Sequence, residues 1–272
     1  MASSFPTDIT ERNNYILQKV QAGEFEHFWH PVVSGFGSHS AIFQISSDAL
    51  KIDGIRVNVS AYLQQQIADI VGGMLLPAKL ADLLHSQAEI VLEHLPRQIT
   101  DTTDAMINQS QKIDAQIVKK YPGVDLQGKL ISTVGKVWLI DNVLDANKTV
   151  ACNYGWHVNK NPFQGINCEV CASLIKDPKT NMYYHVIQGR GTAHNNLHVD
   201  YSQICCLVSR TCEIDGNEMS LEDVLQNPDL ALLASHQGVL HILRQPGVPM
   251  MEINEQKLSE NNAANIISSS GN

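Results

Sequence analysis

His198, Asp200 and Ser202 occupy alternate positions in Leu197-His-Val-Asp-Tyr-Ser-Gln-Ile-Cys-Cys206. An imidazole, a carboxylate and a hydroxyl are the three parts of a nucleophile–base–orienter set. If Val199–Ser209 is an extended strand, His198, Asp200, Ser202, Ile204 and Cys206 share one face, and Val199, Tyr201, Gln203 and Cys205 share the other. Neighbouring groups on one face of a strand lie about 7 Å apart, too far for a direct hydrogen bond, so a partner must come from elsewhere. His157 in Tyr154-Gly-Trp-His157 is the expected partner, a histidine near a strand end beside a glycine that permits close backbone approach. On this reading His157 or His198 is the general base and Asp200 orients the imidazole. Ser202, Cys205 or Cys206 is the nucleophile, and Lys136, Asn153 and Tyr154 face developing negative charge. Trp156, Arg190, His194 and Tyr201 complete the expected substrate-binding set. The reaction class is hydrolysis or acyl transfer on an amide or ester. The expected substrate is a small molecule or a peptide or cell-wall fragment, and no cofactor is required.

Two other readings start from the same residues. His157, His194, His198 and Asp200 are also ligand types for a catalytic metal such as zinc. His194 and His198 have the i, i+4 spacing of a zincin helix, but Asn195-Asn196 replaces the glutamate base, and Gly189 and Gly191 argue against a helix there. Cys168-x-x-Cys171 is half of a structural zinc site, which Cys152, Cys205, Cys206 or His185 would have to complete. The third reading is a non-catalytic binding or assembly protein, in which the polar run is a hydrogen-bonded structural network.

The elements that must position these groups divide by period. Asp8 with Glu11 opens a helix that Gly23 ends; Ser60 opens a second that stops at Gly72-Gly73; Pro77 starts a third reaching about His94; and a fourth spans Thr102 to Lys120. Phe28-Trp-His-Pro31 reads as a stop, Ala41–Ser47 as a strand, and Ile55–Val59 as another with Ile55, Val57 and Val59 on one face. From Leu126 onward strands dominate: Lys129–Thr133, Lys136–Asp141, Thr149–Asn153, then Glu169–Ile175 and Met182–Gln188 around a turn at Asp177-Pro-Lys-Thr-Asn181. Ser220 caps a short helix, and Asn227-Pro228 caps another reaching Ser235. The expected fold is α+β, a single domain over 1–255 with a helical half (about 1–125) packed on an antiparallel sheet half (about 126–255); residues 256–272 read as a disordered tail.

Composition narrows the function classes. Hydrophobic residues are 43% and charged residues 17% of a chain of 272, ordinary for a folded protein. A net charge of −9 with no Lys/Arg cluster argues against a nucleic-acid partner. The longest apolar runs fall well short of the ~20 residues that cross a bilayer. The start Met1-Ala-Ser-Ser-Phe-Pro-Thr lacks a signal-peptide pattern, so a cytoplasmic location is expected, with the six cysteines as thiols or ligands rather than disulfides.

Leu76-Pro77-Ala-Lys79-Leu-Ala-Asp82, Gly135-Lys136, Tyr154-Gly-Trp-His157 and His198-Val-Asp-Tyr-Ser202 together give the chain a resemblance to a group of uncharacterised bacterial proteins with these short motifs. The resemblance spans roughly residues 45 to 210 and implies no activity. In that group the serine is followed by His-Gly and then Arg, whereas here Ser202 is followed by Gln203-Ile-Cys-Cys206. Any catalysis shared with the group would therefore have to do without that histidine and arginine.

Overall fold

The Asp8 carboxylate accepts from the backbone N–H groups of Thr10 and Glu11 and so starts α1 (Ile9–Ala22), which Gly23 closes in the left-handed conformation. The chain then enters a hairpin of β1 (Trp29–Phe36) and β2 (His39–Ser46), followed by the short pair β3 (Lys51–Ile52) and β4 (Ile55–Arg56). Ser60 caps α2 (Ala61–Val71), Gly72 ends it, and β5 (Gly73–Leu75) leads to α3 (Ala78–Gln87) and β6 (Ile90–Val91). Thr102 caps α4 (Thr103–Lys120). The later strands are β7 (Ile131–Ser132), β8 (Lys136–Leu139), β9 (Val150–Lys160), β10 (Ser173–Lys176), β11 (Tyr183–Asn195), β12 (Leu207–Ile214) and β13 (Asn217–Ser220). Ser220 caps the last helix, α5 (Leu221–Gln226). The computed structural model describes residues 4–95, 100–132, 134–160, 173–176 and 183–251.

The architecture is α+β, with four of the five helices among the described residues in the first 120 positions. Strands β1-β2-β12-β13 form one antiparallel sheet, which β5 joins through β12; β10-β11-β9-β8 form a second. The first sheet thus takes three strands from the N-terminal half and two from the C-terminal half. Strands β6 and β7 pair in parallel.

Several local expectations are corrected. Trp29-His-Pro31 does not stop the chain but opens β1, an edge strand where a proline costs no ladder bond and Pro31 is exposed. Of Ile55–Val59 only Ile55–Arg56 is strand; Val57, Asn58 and Val59 are all buried, so no alternation survives. Helix α3 ends at Gln87 rather than His94, because Ile90 and Val91 extend to pair with Ile131 and Ser132. Strands β9 and β11 run longer than expected, β9 through His157 and β11 through His194. The largest correction concerns Val199–Ser209. Residues 198–206 form a loop, and strand β12 starts at Leu207. Every residue from Val199 to Val208 is buried, so the two-faced pattern assumed for a strand does not exist. Strands β10 and β11 pair antiparallel, Ser173 opposite Val186, as a hairpin requires. The turn at 177–181, Cys168, Cys171, the side chain of His185 and the tail from 256 lie outside the described residues.

The buried loop is docked onto the start of β8. Lys136 N–H donates to Ser202 O at 2.6 Å, and Ile204 N–H donates to Lys136 O at 2.9 Å. Gly135 makes this approach possible. A Cβ there would stand 2.5 Å from Ser202 O and 2.6 Å from Ile204 Cγ2, closer than real contacts allow. Gly135→Ala is therefore expected to cost about 1–3 kcal/mol as an overpacking change, measurable by urea unfolding. Stability equal to wild type would mean that the loop docks differently.

Candidate functional site

The ribbon β8–β9 carries Lys136, Asn153, Tyr154, Trp156 and His157 of the residues singled out by sequence, and it sends them to two opposite faces. Register places Lys136 opposite Gly155, Val137 opposite Tyr154 and Trp138 opposite Asn153. In a regular strand Tyr154 and His157, three apart, would point to opposite sides. Here Gly155 has φ +141° and Trp156 has φ +55°, a rare conformation for a bulky side chain. That kink reverses the parity, and Tyr154 and His157 reach the same carboxylate.

The carboxylate is Asp82 of α3. Its Oδ1 accepts from Tyr154 Oη at 2.7 Å and pairs with His157 Nε2 at 2.8 Å; its Oδ2 pairs with His236 Nε2 at 2.7 Å. Asp82 and His157 are buried, whereas the His236 side chain is 53% exposed and connects the cluster to solvent. Burial alone would raise the Asp82 carboxyl, but the bonds from His157 and His236, joined by Tyr154, hold it below the ordinary carboxylate value. One turn along α3, His85 stacks on His157 with centroids 4.9 Å apart and planes 18° from parallel. His85 Nδ1 lies 2.6 Å from Ser132 Oγ on β7. Ser132 and His157 both line a cavity of about 30 Å³, with Asp48, Leu76, Ala81 and Cys206 among its other walls. Arg56 holds the Asp48 charge by a bidentate pair. The cavity has room for about two water molecules.

The opposite face of the ribbon gathers most of the other predicted site residues. Lys136 Nζ lies 3.4 Å from Asp200 Oδ2 and 5.6 Å from the Trp156 ring centre. His198 Nε2 approaches the same oxygen only to 3.8 Å. The His198 ring stacks on His194 at 4.0 Å, and His194 meets Trp138 edge-on. Trp156 and Tyr201 are 6.1 Å apart. Ser202, expected to stand too far from Asp200, donates to Asp200 Oδ1 through both its backbone N–H and its hydroxyl, because the chain turns between them. Burial would raise the Asp200 carboxyl, but the Ser202 bonds and the Lys136 charge hold it low.

His157 therefore meets Asp82 and not Asp200, and the expected convergence of the two motifs is not what the fold produces. Arg190 stands apart, paired with Asp141 at 3.0 Å. Burial pushes Cys152 and Cys206 up to about 12 and Cys205 higher still, so these thiols stay protonated and are poor nucleophiles. Among the described residues no group of three or more His, Cys, Asp or Glu side chains is arranged to hold a metal ion.

Asp82, His85, Ser132 and His236 were not among the site residues expected from the sequence. A signal was present for two of them. Asp82 and His85 are spaced i, i+3 on a helix whose other inward positions are apolar, which puts a carboxylate and an imidazole on one buried stripe. Ser132 and His236 carried no such mark.

Asp82 also sets a pH response. Its folded value lies below the unfolded one, so its contribution is full above about pH 3.8 and is lost as pH falls through the lower folded value. Asp82→Asn is expected to cost about 1–3 kcal/mol at pH 7 and to remove this acid-limb contribution, both visible in urea midpoints measured from pH 3 to pH 7. Comparison of the chain with family models, with curated proteins and with solved structures finds no match.

Proposed function

We propose that the chain is a hydrolase or acyl-transfer enzyme acting on an amide or ester of a small molecule or peptide, with its centre at Ser132, His85, His157 and Asp82. One observation carries this reading: the Ser132 hydroxyl is bonded to an imidazole at 2.6 Å on the wall of a cavity, which must widen beyond its two-water volume to admit an acyl group, and that imidazole stacks on a second one fixed by a buried carboxylate. In this scheme Ser132 Oγ attacks the carbonyl carbon while His85 takes its proton. The proton then passes to the leaving amine or alcohol, and water or a second acceptor releases the acyl group from Ser132. His157, held by Asp82, fixes the plane of His85. The reading moves the nucleophile from Ser202 to Ser132, since Ser202 is bonded to a carboxylate and no imidazole lies within bonding distance among its described contacts.

A second reading has its own support. Three donors already fill both Asp82 oxygens, which suits a structural network in a binding or assembly protein. A fluorophosphonate separates the two. We expect covalent addition at Ser132, seen by intact mass and peptide mapping, absent in Ser132→Ala and slowed about 100-fold or more in folded His85→Ala. No addition, or addition elsewhere, leaves the structural network as the role of the cluster.

A further inference from the structure

The face of β8–β9 turned away from Asp82 has an excess of hydrogen-bond donors. Asn153 is 1% exposed and its Nδ2 has no partner among the described residues; Trp156 Nε1 has none either, nor does His198 Nε2, which is a donor in the Nε2–H tautomer. The buried Lys136 ammonium has one carboxylate oxygen within reach, at 3.4 Å. The acceptors here are already engaged: Asp200 Oδ1 takes both Ser202 donors, and Oδ2 faces Lys136 and Gln203 Nε2. Each buried donor without an acceptor costs about 1–3 kcal/mol, so several on one face call for something that accepts.

These groups belong to one wall. Lys136 and Trp138 alternate on β8, and the residues opposite them, Gly155 and Asn153, share that side of the sheet, so Asn153 and Lys136 are diagonal cross-strand neighbours. Trp156 lies beside the Lys136 ammonium, Tyr201 beside Trp156, and His194 between Trp138 and His198. Rings thus flank the donors, and Gly191 leaves room for the Asn153 side chain, whose Oδ1 lies 3.3 Å from where a Cβ would stand.

We propose that this face binds a carboxylate group, which accepts from Lys136 Nζ, Asn153 Nδ2, Trp156 Nε1 and His198 Nε2–H. A carboxylate offers about four lone-pair positions and no donor, which matches the deficit, while a water brings two hydrogens that need acceptors of their own. A phosphate dianion suits the site less well, because Asp200 already balances the Lys136 charge and a dianion would add two negative charges where a carboxylate adds one. Burial, His198 and Lys136 together lower His194, which keeps it neutral near pH 7 and adds no second cation. The site is separate from the one proposed around Asp82 and does not depend on it.

The chain has three tryptophans, so the indole N–H of Trp156 can be followed as one of three resonances in a ¹⁵N correlation spectrum, identified by its loss in Trp156→Phe. The probes are acetate, an N-acetylated dipeptide with a free C-terminus, and the same dipeptide as its C-terminal amide. We expect the Trp156 resonance to shift saturably with the first two and not with the amide. A dipeptide that binds more tightly than acetate identifies a peptide C-terminus as the source, and equal affinity identifies a small acid. Lys136→Met is expected to abolish the shift, and Asn153→Ala, which keeps the Lys136–Asp200 pair, to weaken binding about tenfold. No shift, an equal shift with the amide or with chloride, or unchanged affinity in folded Asn153→Ala would overturn the assignment.

Discussion

Both polar clusters depend on the hydrogen bonding of a single buried loop. Residues 200–207 run through the interior, where an unpaired carbonyl is costly, and nearly every carbonyl of the run finds a donor from a different part of the chain. Tyr201 O accepts from Asn58 Nδ2, Ser202 O from Lys136 N–H, Gln203 O from Val59 N–H and Asn58 Nδ2, Cys205 O from Leu50 N–H, and Cys206 O from Gln64 Nε2. Leu207 O accepts from Ser46 Oγ. The loop therefore joins the sheet that contains β2 and β12 to the sheet that contains β8 and β9. It fixes Asp200 beside Lys136 and also backs the cavity that Ser132 and His157 line.

This arrangement explains the buried polar residues of the middle of the chain. Asn58, Gln64 and Ser46 are fully or nearly fully buried, and each serves a backbone group of the loop rather than a ligand. Trp138 does the reverse, donating its indole N–H to Val59 O from the sheet side. Buried side-chain atoms without partners occur elsewhere too, Gln64 Oε1 among them, but those of Asn153, Trp156 and His198 gather around Lys136. The contrast between the two faces of the ribbon is chemical as well as spatial. Around Asp82 acceptors and donors balance, and around Lys136 donors exceed acceptors.

Helix starts were the most legible features, because caps are local; stops were less so, as α3 shows. Asp8, Ser60, Thr102 and Ser220 each accept from the first turn as their positions suggest. The placement of most strands was legible from alternation, but not their ends: β9 and β11 continue through polar and glycine-rich runs because they pair with each other. The site was legible only in part. His157, Lys136, Asp200 and Ser202 do carry the two polar clusters, yet a spacing rule for strands misplaced Asp200 and Ser202, since a buried loop also reads as an apolar-polar run. Asp82 and His236 lie 154 positions apart, and nothing local couples two such residues. Only the folded contact between α3 and the segment that carries His236 reveals the pair.

The left-handed Trp156 gives the tetrapeptide Tyr154–His157 a property that composition does not disclose. An ordinary extended backbone would let Tyr154 or His157 reach Asp82, never both, and would swing the indole away from the ammonium at the same time. The two sides of the ribbon are thus tied to a single pair of torsion angles, and whatever relaxes that bend alters the surroundings of a carboxylate on one side and of an amine on the other in one movement.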